Sequence, residues 1–310
     1  MSAYNVYAIA GLGRIGLNMT RDLLAMKAAD GHHYSVRVLT QSPDSPALAD
    51  LKARGADVRT VSYAAPASLR AALDGVDVLI SAIGYHGLEA QDILCDAAAD
   101  ARVQLFVPSE YGALSNTMVD PVFAGKEHFR ARLVAAGLKY TVFYSGLWAD
   151  FDLRPFILRE WFEIDLEGGS IHKWSNWDVP WSFTTQSDVS RFVTHVLVHL
   201  SRSELENRII RIEGDRQSLN SLFSTFLAKT GRRPLEAMNV TTHTRAELDA
   251  RLEKDPALIG MRLLRAGSDE KFSVTADGDP LDNDLWPEWN PEKAGDVIIA
   301  SFAADSKQKA

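Results

Sequence analysis

The sequence predicts an α/β chain in which a doubly wound parallel sheet carries a second, smaller α+β lobe. Three observations lead there. A glycine-rich turn joins the first strand to the first helix, short apolar strands alternate with helices to about residue 146, and that rhythm is then lost.

Residues 4–10, YNVYAIA, are short, apolar and bounded by glycine, the pattern of a buried strand; Ile15, Met19, Leu23 and Met26 follow at helical spacing. Residues 34–40, YSVRVLT, are rich in β-branched side chains and predict another strand. In SPALADLKARG, Ser45 is placed to cap a helix, Pro46 to occupy its first position and Gly55 to close it. Further strands are expected at 76–84, 103–109 and 139–145, with helices at 88–100 and 121–136. Alternation at this spacing implies parallel pairing through right-handed crossovers, and ligands in such sheets bind beyond the carboxyl ends of the strands.

Six of the seven tryptophans, Trp161, Trp174, Trp177, Trp181, Trp286 and Trp289, lie beyond Trp148. Residues 187–200 and 218–231 read as amphipathic helices with the strand RIIRIEG between them, and Thr244 with Glu247 forms a capping box. The final ADSKQKA reads as a frayed tail.

Composition narrows the function classes. The 310 residues are 46% hydrophobic and 24% charged, an ordinary globular balance with enough apolar material for one large or two modest cores. A net charge of -8 argues against nucleic-acid or anionic-membrane partners, which need a concentrated positive field. The single cysteine, Cys95, excludes an intrachain disulfide and a thiolate zinc cage and fits a reducing compartment; its simplest role is that of a small core residue. With neither a leader-like N-terminus nor a membrane-length apolar run, the expectation is a cytoplasmic protein. No metal-ligand spacing and no G-x-S-x-G turn occurs, so no metal is expected.

GLGRIG places Gly11, Gly13 and Gly16 in G-x-G-x-x-G spacing, with Arg14 and Ile15 between the last two. Gly11 allows the tight turn, Gly13 lets backbone approach a pyrophosphate, and Gly16 lets helix pack on strand. The helix N-terminus adds free N–H groups for the phosphates, so the motif in this context points to a dinucleotide. Residues 1–150 are therefore expected to form an NAD(P)-binding Rossmann domain, onto which 184–213 return, and 151–310 mainly a substrate lobe. The second strand ends in Thr40, Gln41 and Ser42, with neither the carboxylate that selects NAD nor the arginine that would favour NADP. Arg14 is within reach of a 2′-phosphate, or is a solvated residue of the first helical turn. The balance favours NADPH and leaves NADH open.

Lys126 stands in PVFAGKEHFR, where Asp120 is placed to cap a helix and Pro121 to begin it. Val122, Lys126, Phe129 and Leu133 fall within roughly 60° of one another on that helix, so Lys126 lies in the apolar stripe. Burying an ammonium there costs several kcal/mol unless it finds a partner or snorkels to water. Partial burial and a helix N-terminus both lower a lysine pKa toward useful acid–base chemistry.

GLGRIG, VDVLISAIG, VQLFVPSEYG, AGKEHFR and GLKYTVFYSGLWADF, in that order, resemble the isoflavone reductase-like and NmrA-like branch of atypical short-chain reductases. The resemblance covers most of residues 1–150 and continues faintly through SFTTQSDVSRFV. It implies that Lys126 works without the tyrosine that ordinary short-chain reductases carry four residues earlier, where Val122 stands. Lys126 would bind the nicotinamide ribose and polarise or protonate substrate while NADPH delivers hydride. It also implies cofactor contacts from Ala82, Ile83 and Gly84, from Pro108 and Ser109, and from Tyr144, Ser145 and Gly146. The chain departs from the branch at Thr40 and Gln41, where an arginine for the 2′-phosphate is usual.

Trp148 follows the strand at 139–145 and is expected near the nicotinamide, with Tyr111, Phe151, Trp174, Trp177 and Trp181 completing an aromatic wall for a flat apolar substrate. The competing reading makes the tryptophans after residue 160 the core of the small lobe. His86 and His172 are further proton-donor candidates. Two functions remain: a reductase of an aromatic or polyketide-like enone, ketone or benzylic ether, and a non-catalytic NADP(H) sensor of the NmrA type. Sugar-nucleotide epimerisation is disfavoured by Val122.

Overall fold

The first half of the chain runs β1 (Val6–Ala10), α1 (Arg14–Asp30), β2 (Ser35–Thr40), α2 (Pro46–Ala53), β3 (Asp57–Thr60), α3 (Pro66–Leu73), β4 (Val78–Ser81), α4 (Ala90–Asp100), β5 (Leu105–Val107), α5 (Pro121–Ala135) and β6 (Thr141–Tyr144). The computed structural model describes residues 4–30, 33–84, 87, 89–115 and 121–309.

Side-chain alternation explains the layers. On β1, Tyr7 and Ile9 enter one hydrophobic core while Ala8 and Ala10 enter another; Val78 and Ile80 of β4 oppose Leu79 in the same way. The first core is completed by α1 and the second by α3, α4 and α5, so helices cover both faces. The strand order is β3-β2-β1-β4-β5, every pair parallel. β6 joins beside β5 through a parallel bridge between Phe106 and Tyr140. This is the doubly wound Rossmann arrangement, with the order reversing beside β1. β3 was not anticipated as a strand: DVRT is polar and half-exposed, so it lacks the apolar signature of its neighbours.

Beyond β6 come β7 (Leu147–Trp148), α6 (Ala149–Asp152), α7 (Pro155–Phe162), β8 (Ile164–Asp165), β9 (Ser170–Trp174), β10 (Pro180–Thr184), α8 (Gln186–His199), α9 (Arg202–Leu205), β11 (Arg208–Arg211), β12 (Asp215–Ser218), α10 (Leu219–Lys229), β13 (Asn239–His243), α11 (Arg245–Lys254), α12 (Ile259–Ser268) and α13 (Ala294–Lys309). β11 pairs in parallel with β6, and α8 lies on α1, where Val189, Phe192, Val193 and Val196 fill the core beneath β1. Small sheets β12-β10-β7 and β13-β9-β8 enclose a separate core of Trp177, Phe183, Phe223, Phe226 and Ile298.

Local expectations fare unevenly. Thr244 and Glu247 make their reciprocal capping bonds at α11. Ser45 precedes α2 without a side-chain cap bond. Asp120, expected to cap α5, lies outside the described residues. The expected frayed tail is helical through Lys309, because Phe302 packs on Phe226 with ring centroids 4.6 Å apart and fixes α13 one turn earlier. Among the described residues no helix is long and apolar enough to cross a membrane.

Candidate active site

A cavity of about 310 Å³ opens at the carboxyl ends of β1, β2 and β4, lined among others by Gly11, Gly13, Thr40, Gln41, Ser42 and Ala82. Three glycines build its floor for different reasons. Gly11 has φ +97°, and a Cβ there would stand 2.6 Å from the Ala82 carbonyl oxygen. A Cβ on Gly16 would stand 1.9 Å from the Gly11 carbonyl oxygen, so this contact of α1 with the turn admits no side chain. Gly13 has neither constraint: a Cβ would meet nothing within 4 Å, in open space at the N-terminus of α1. Packing within the chain therefore does not require glycine at 13, whereas a ligand lying over the helix terminus does. The cavity thus fits a dinucleotide pyrophosphate. Ile15 turns into the core, and the exposed Arg14 has its charge near Asp150, whose ionised form it favours against burial.

The outer rim is shaped by the turn after β2, where the Thr40 hydroxyl accepts a 3.0 Å bond from the Ser42 N–H; Gln41 is exposed beside it. The opposite rim is Ala82, Ile83 and Gly84, with no side chain at Gly84. Ser109 belongs to the scaffold: its hydroxyl donates to the Ile83 carbonyl at 2.8 Å and its N–H to Gln91 Oε1 at 3.0 Å, while Pro108 is buried.

Lys126 does not face bulk solvent. Its Nζ donates to the carbonyl oxygen of Glu110, just past β5, at 3.0 Å and lies 3.6 Å from Glu110 Oε2, with 17% of the side chain exposed. Phe129 and Leu133 of the same helix are buried, so the apolar stripe seats this lysine at the carboxyl edge of the sheet. Glu110 is itself only 3% exposed. Burial raises its carboxyl pKa, against the opposing pull of the Lys126 charge and the Ser115 hydroxyl, which donates to Oε1 at 3.0 Å. Beyond it, Ser115 and Tyr144 hydroxyls meet at 3.1 Å, and Arg130 Nη1 donates to the Tyr144 hydroxyl at 3.1 Å. Glu110 belongs to no motif that marks it as functional in the sequence. The available signal was a carboxylate directly after an apolar strand, in VPSEYG.

Several expected contacts are corrected here. Tyr144 is fully buried with its hydroxyl in that network, and Ser145 donates to the Tyr111 carbonyl at 3.0 Å, so neither side chain is available to a cofactor. Gly146 has φ +74° and its missing Cβ would lie 2.1 Å from the Ser182 carbonyl oxygen; its role is the close approach of β10. Tyr111 is 2% exposed and donates to the Ser81 carbonyl at 3.1 Å, which removes its ring from any substrate wall. Trp174, Trp177 and Trp181 belong to the small lobe's core: Trp177 packs edge-on to Phe223, and Trp181 packs on Phe272. His172 pairs with His243 Nε2 at 2.9 Å within that lobe, and His86 lies outside the described residues.

Two aromatic candidates remain at the edge. Trp148 is half-buried, its indole N–H donating to the Tyr111 carbonyl at 2.6 Å. Phe151 meets it edge-on, centroids 6.5 Å apart, and continues to Trp161 at 5.9 Å. Asp152, unremarked in the sequence, anchors this corner by accepting the Trp148 N–H at 3.0 Å.

A family model described as NmrA-like matches residues 4–264. The chain belongs to the NmrA-like family. Consistent with that family, it is 28% identical over 242 residues to the isoflavone reductase homolog IRL of Zea mays, covering 73% of this chain and 74% of the relative. The fold is similar to that of leucoanthocyanidin reductase from Vitis vinifera in its binary complex with NADPH, with TM-score 0.76, 19% identity, and 96% and 100% of the two chains covered. It is also similar to a structure from a study of pinoresinol-lariciresinol and phenylcoumaran benzylic ether reductases, with TM-score 0.80, 17% identity, and 96% and 99% covered.

Proposed function

We propose that this chain is an NADPH-dependent oxidoreductase, with NADH the less favoured donor, acting on a small aromatic or polyketide-like enone, ketone or benzylic ether. The observation that carries the reading is Lys126, an ammonium seated against the Glu110 carbonyl on the sheet edge that also holds the glycine cavity. The similar proteins, an isoflavone reductase homolog, a leucoanthocyanidin reductase in complex with NADPH, and pinoresinol-lariciresinol and phenylcoumaran benzylic ether reductases, support the substrate class and the donor.

When bound, NADPH supplies hydride. Gly11, Gly13 and the first turn of α1 would hold its pyrophosphate, with Ala82, Ile83 and Gly84 along one side. The rim of Thr40, Gln41 and Ser42 carries no carboxylate to repel a 2′-phosphate. Lys126 would hydrogen-bond the nicotinamide ribose and give a proton from Nζ to the substrate oxygen, while Glu110 holds that nitrogen in place. Trp148 and Phe151 would present the apolar surface to the substrate's ring. In this reading 1–150 is the cofactor domain and 151–310 mainly the substrate lobe.

The test is NADPH oxidation dependent on aromatic enones, ketones and benzylic ethers. Tight NADPH binding without turnover across such a panel would reject the enzyme in favour of a sensor. Gly13→Asp is expected to leave the melting temperature unchanged, since its side chain enters open space, yet to weaken NADPH more than about tenfold by setting a carboxylate against phosphate. Gln41→Asp is expected to shift preference toward NADH by about tenfold, read as the ratio of kcat/KM for the two donors.

A further inference from the structure

The buried polar chain behind Glu110 has a fixed direction. Tyr144 is fully buried, and among the described residues its hydroxyl meets only the Ser115 hydroxyl and Arg130 Nη1, each at 3.1 Å. A guanidinium has protons to give and none to accept, so the phenol must donate to Ser115. Serine has one hydroxyl proton, which is then left for Glu110 Oε1 at 3.0 Å. The reversed chain would strand the buried phenol proton without an acceptor. Every bond therefore donates toward Glu110, starting from a fixed positive charge, and an aligned run of this kind is strongest when it ends on an anion. The other carboxyl oxygen agrees. Among the described residues Oε2 has no hydrogen-bond partner, and the group 3.6 Å from it is the Lys126 ammonium, which accepts nothing. A carboxylate suits that place, whereas a proton on Oε2 would have nowhere to go.

The same helix supplies both cations. Arg130 stands four residues after Lys126 on α5, roughly 40° around the axis, so the two side chains leave one face a turn apart. Arg130 is further fixed by Glu127, which accepts from its Nη2, and only 13% of its side chain is exposed. Glu110 follows β5 and Tyr144 closes β6, so the chain ties α5 to the carboxyl ends of two strands. We propose that Tyr144 is a positioning residue for the proton donor: through Ser115 it fixes the Glu110 carboxylate, and Glu110 fixes the Lys126 amine at the sheet edge. This rests on the reading of Lys126 as the donor and adds the residues that set its place.

Competitive labelling of the full chain with trace acetic anhydride, read by mass spectrometry, reports how firmly Lys126 is held without requiring turnover. Tyr144→Phe is expected to raise the rate at Lys126 about fivefold relative to the other lysines, the equivalent of one buried hydrogen bond. Ser115→Ala, which breaks the same chain at its other joint, is expected to do the same, and the double variant to add little to either. Tyr34→Phe removes a buried 2.7 Å bond to the Leu23 carbonyl just before β2, at the far end of the sheet, and is expected to leave Lys126 unchanged. With a substrate that is turned over, Tyr144→Phe is expected to lower kcat about tenfold at constant KM for NADPH, and to lower it no further in Lys126→Ala. Labelling of Lys126 that is unchanged in either Tyr144→Phe or Ser115→Ala overturns the proposal. So does a loss of kcat that persists in full in the Lys126→Ala background, the sign of a general packing defect. A labelling change in a chain that turns over no substrate rejects the reductase reading and leaves the positioning chain standing.

Discussion

Lys126→Ala is expected to lower the rate of substrate reduction by about 10²–10⁴-fold, the usual worth of a positioned acid–base group, while the protein stays folded. The fold should survive because Glu110, already raised in pKa by burial, responds to loss of the ammonium by holding a proton rather than an uncompensated charge. Lys126→Arg should not rescue the rate: a guanidinium keeps its proton at any working pH. NADPH affinity should fall only modestly, since the phosphates are held at the glycine turn. A kcat unchanged in Lys126→Ala, measured under saturating donor, would remove the lysine from the mechanism. Glu110→Gln gives the complementary result. It keeps the backbone carbonyl that accepts from Nζ but deletes the carboxylate 3.6 Å away, so kcat should fall by less than in Lys126→Ala as the amine is held less firmly.

The parts of this arrangement legible in the sequence are those written in local periodicity. Apolar strands, helical spacing and the glycine turn each report on a few consecutive residues, and the parallel sheet follows from their alternation. Lys126 was legible because a charge interrupts a stripe whose phase Pro121 fixes. Its partner was not, since pairing Lys126 with Glu110 depends on how α5 crosses the end of β5, a long-range fact. The same limit explains the tryptophans. Trp177 and Trp181 are aromatic by sequence whether they line a cleft or fill a core, and only the closure of two small sheets around Phe223 and Phe272 decides for the core. Gly146 shows the converse case: a glycine after a strand is equally compatible with a ligand and with a neighbouring backbone, and here the backbone of Ser182 occupies the space.

Asp152→Asn is expected to stabilise the protein above neutral pH and to remove much of its pH dependence. Asp152 is 8% exposed and faces Leu147, Leu158, Phe162, Trp181 and Phe183. Burial pushes its pKa up to about 7, assisted by the Asp150 charge and opposed by the Trp148 N–H and the Arg154 charge. The folded chain therefore keeps this proton between about pH 4 and 7, where the unfolded chain has released it. Stability falls as pH rises across that window and levels off above it, a loss of about 3–4 kcal/mol for a shift of this size. Asparagine retains an acceptor for the Trp148 N–H and has no charge to bury, so wild type and variant should match at pH 4 and diverge by that amount at pH 8. Denaturant midpoints at both pH values measure the difference, and an equal offset at both would mean that Asp152 does not titrate in this window. Glu110 and Asp150, whose pKa values are also raised by burial, add to the wild-type slope with the same sign. The Glu110 contribution persists in the variant, whereas that of Asp150, whose charge acts on Asp152, changes with it, so subtraction reports Asp152 together with this coupling.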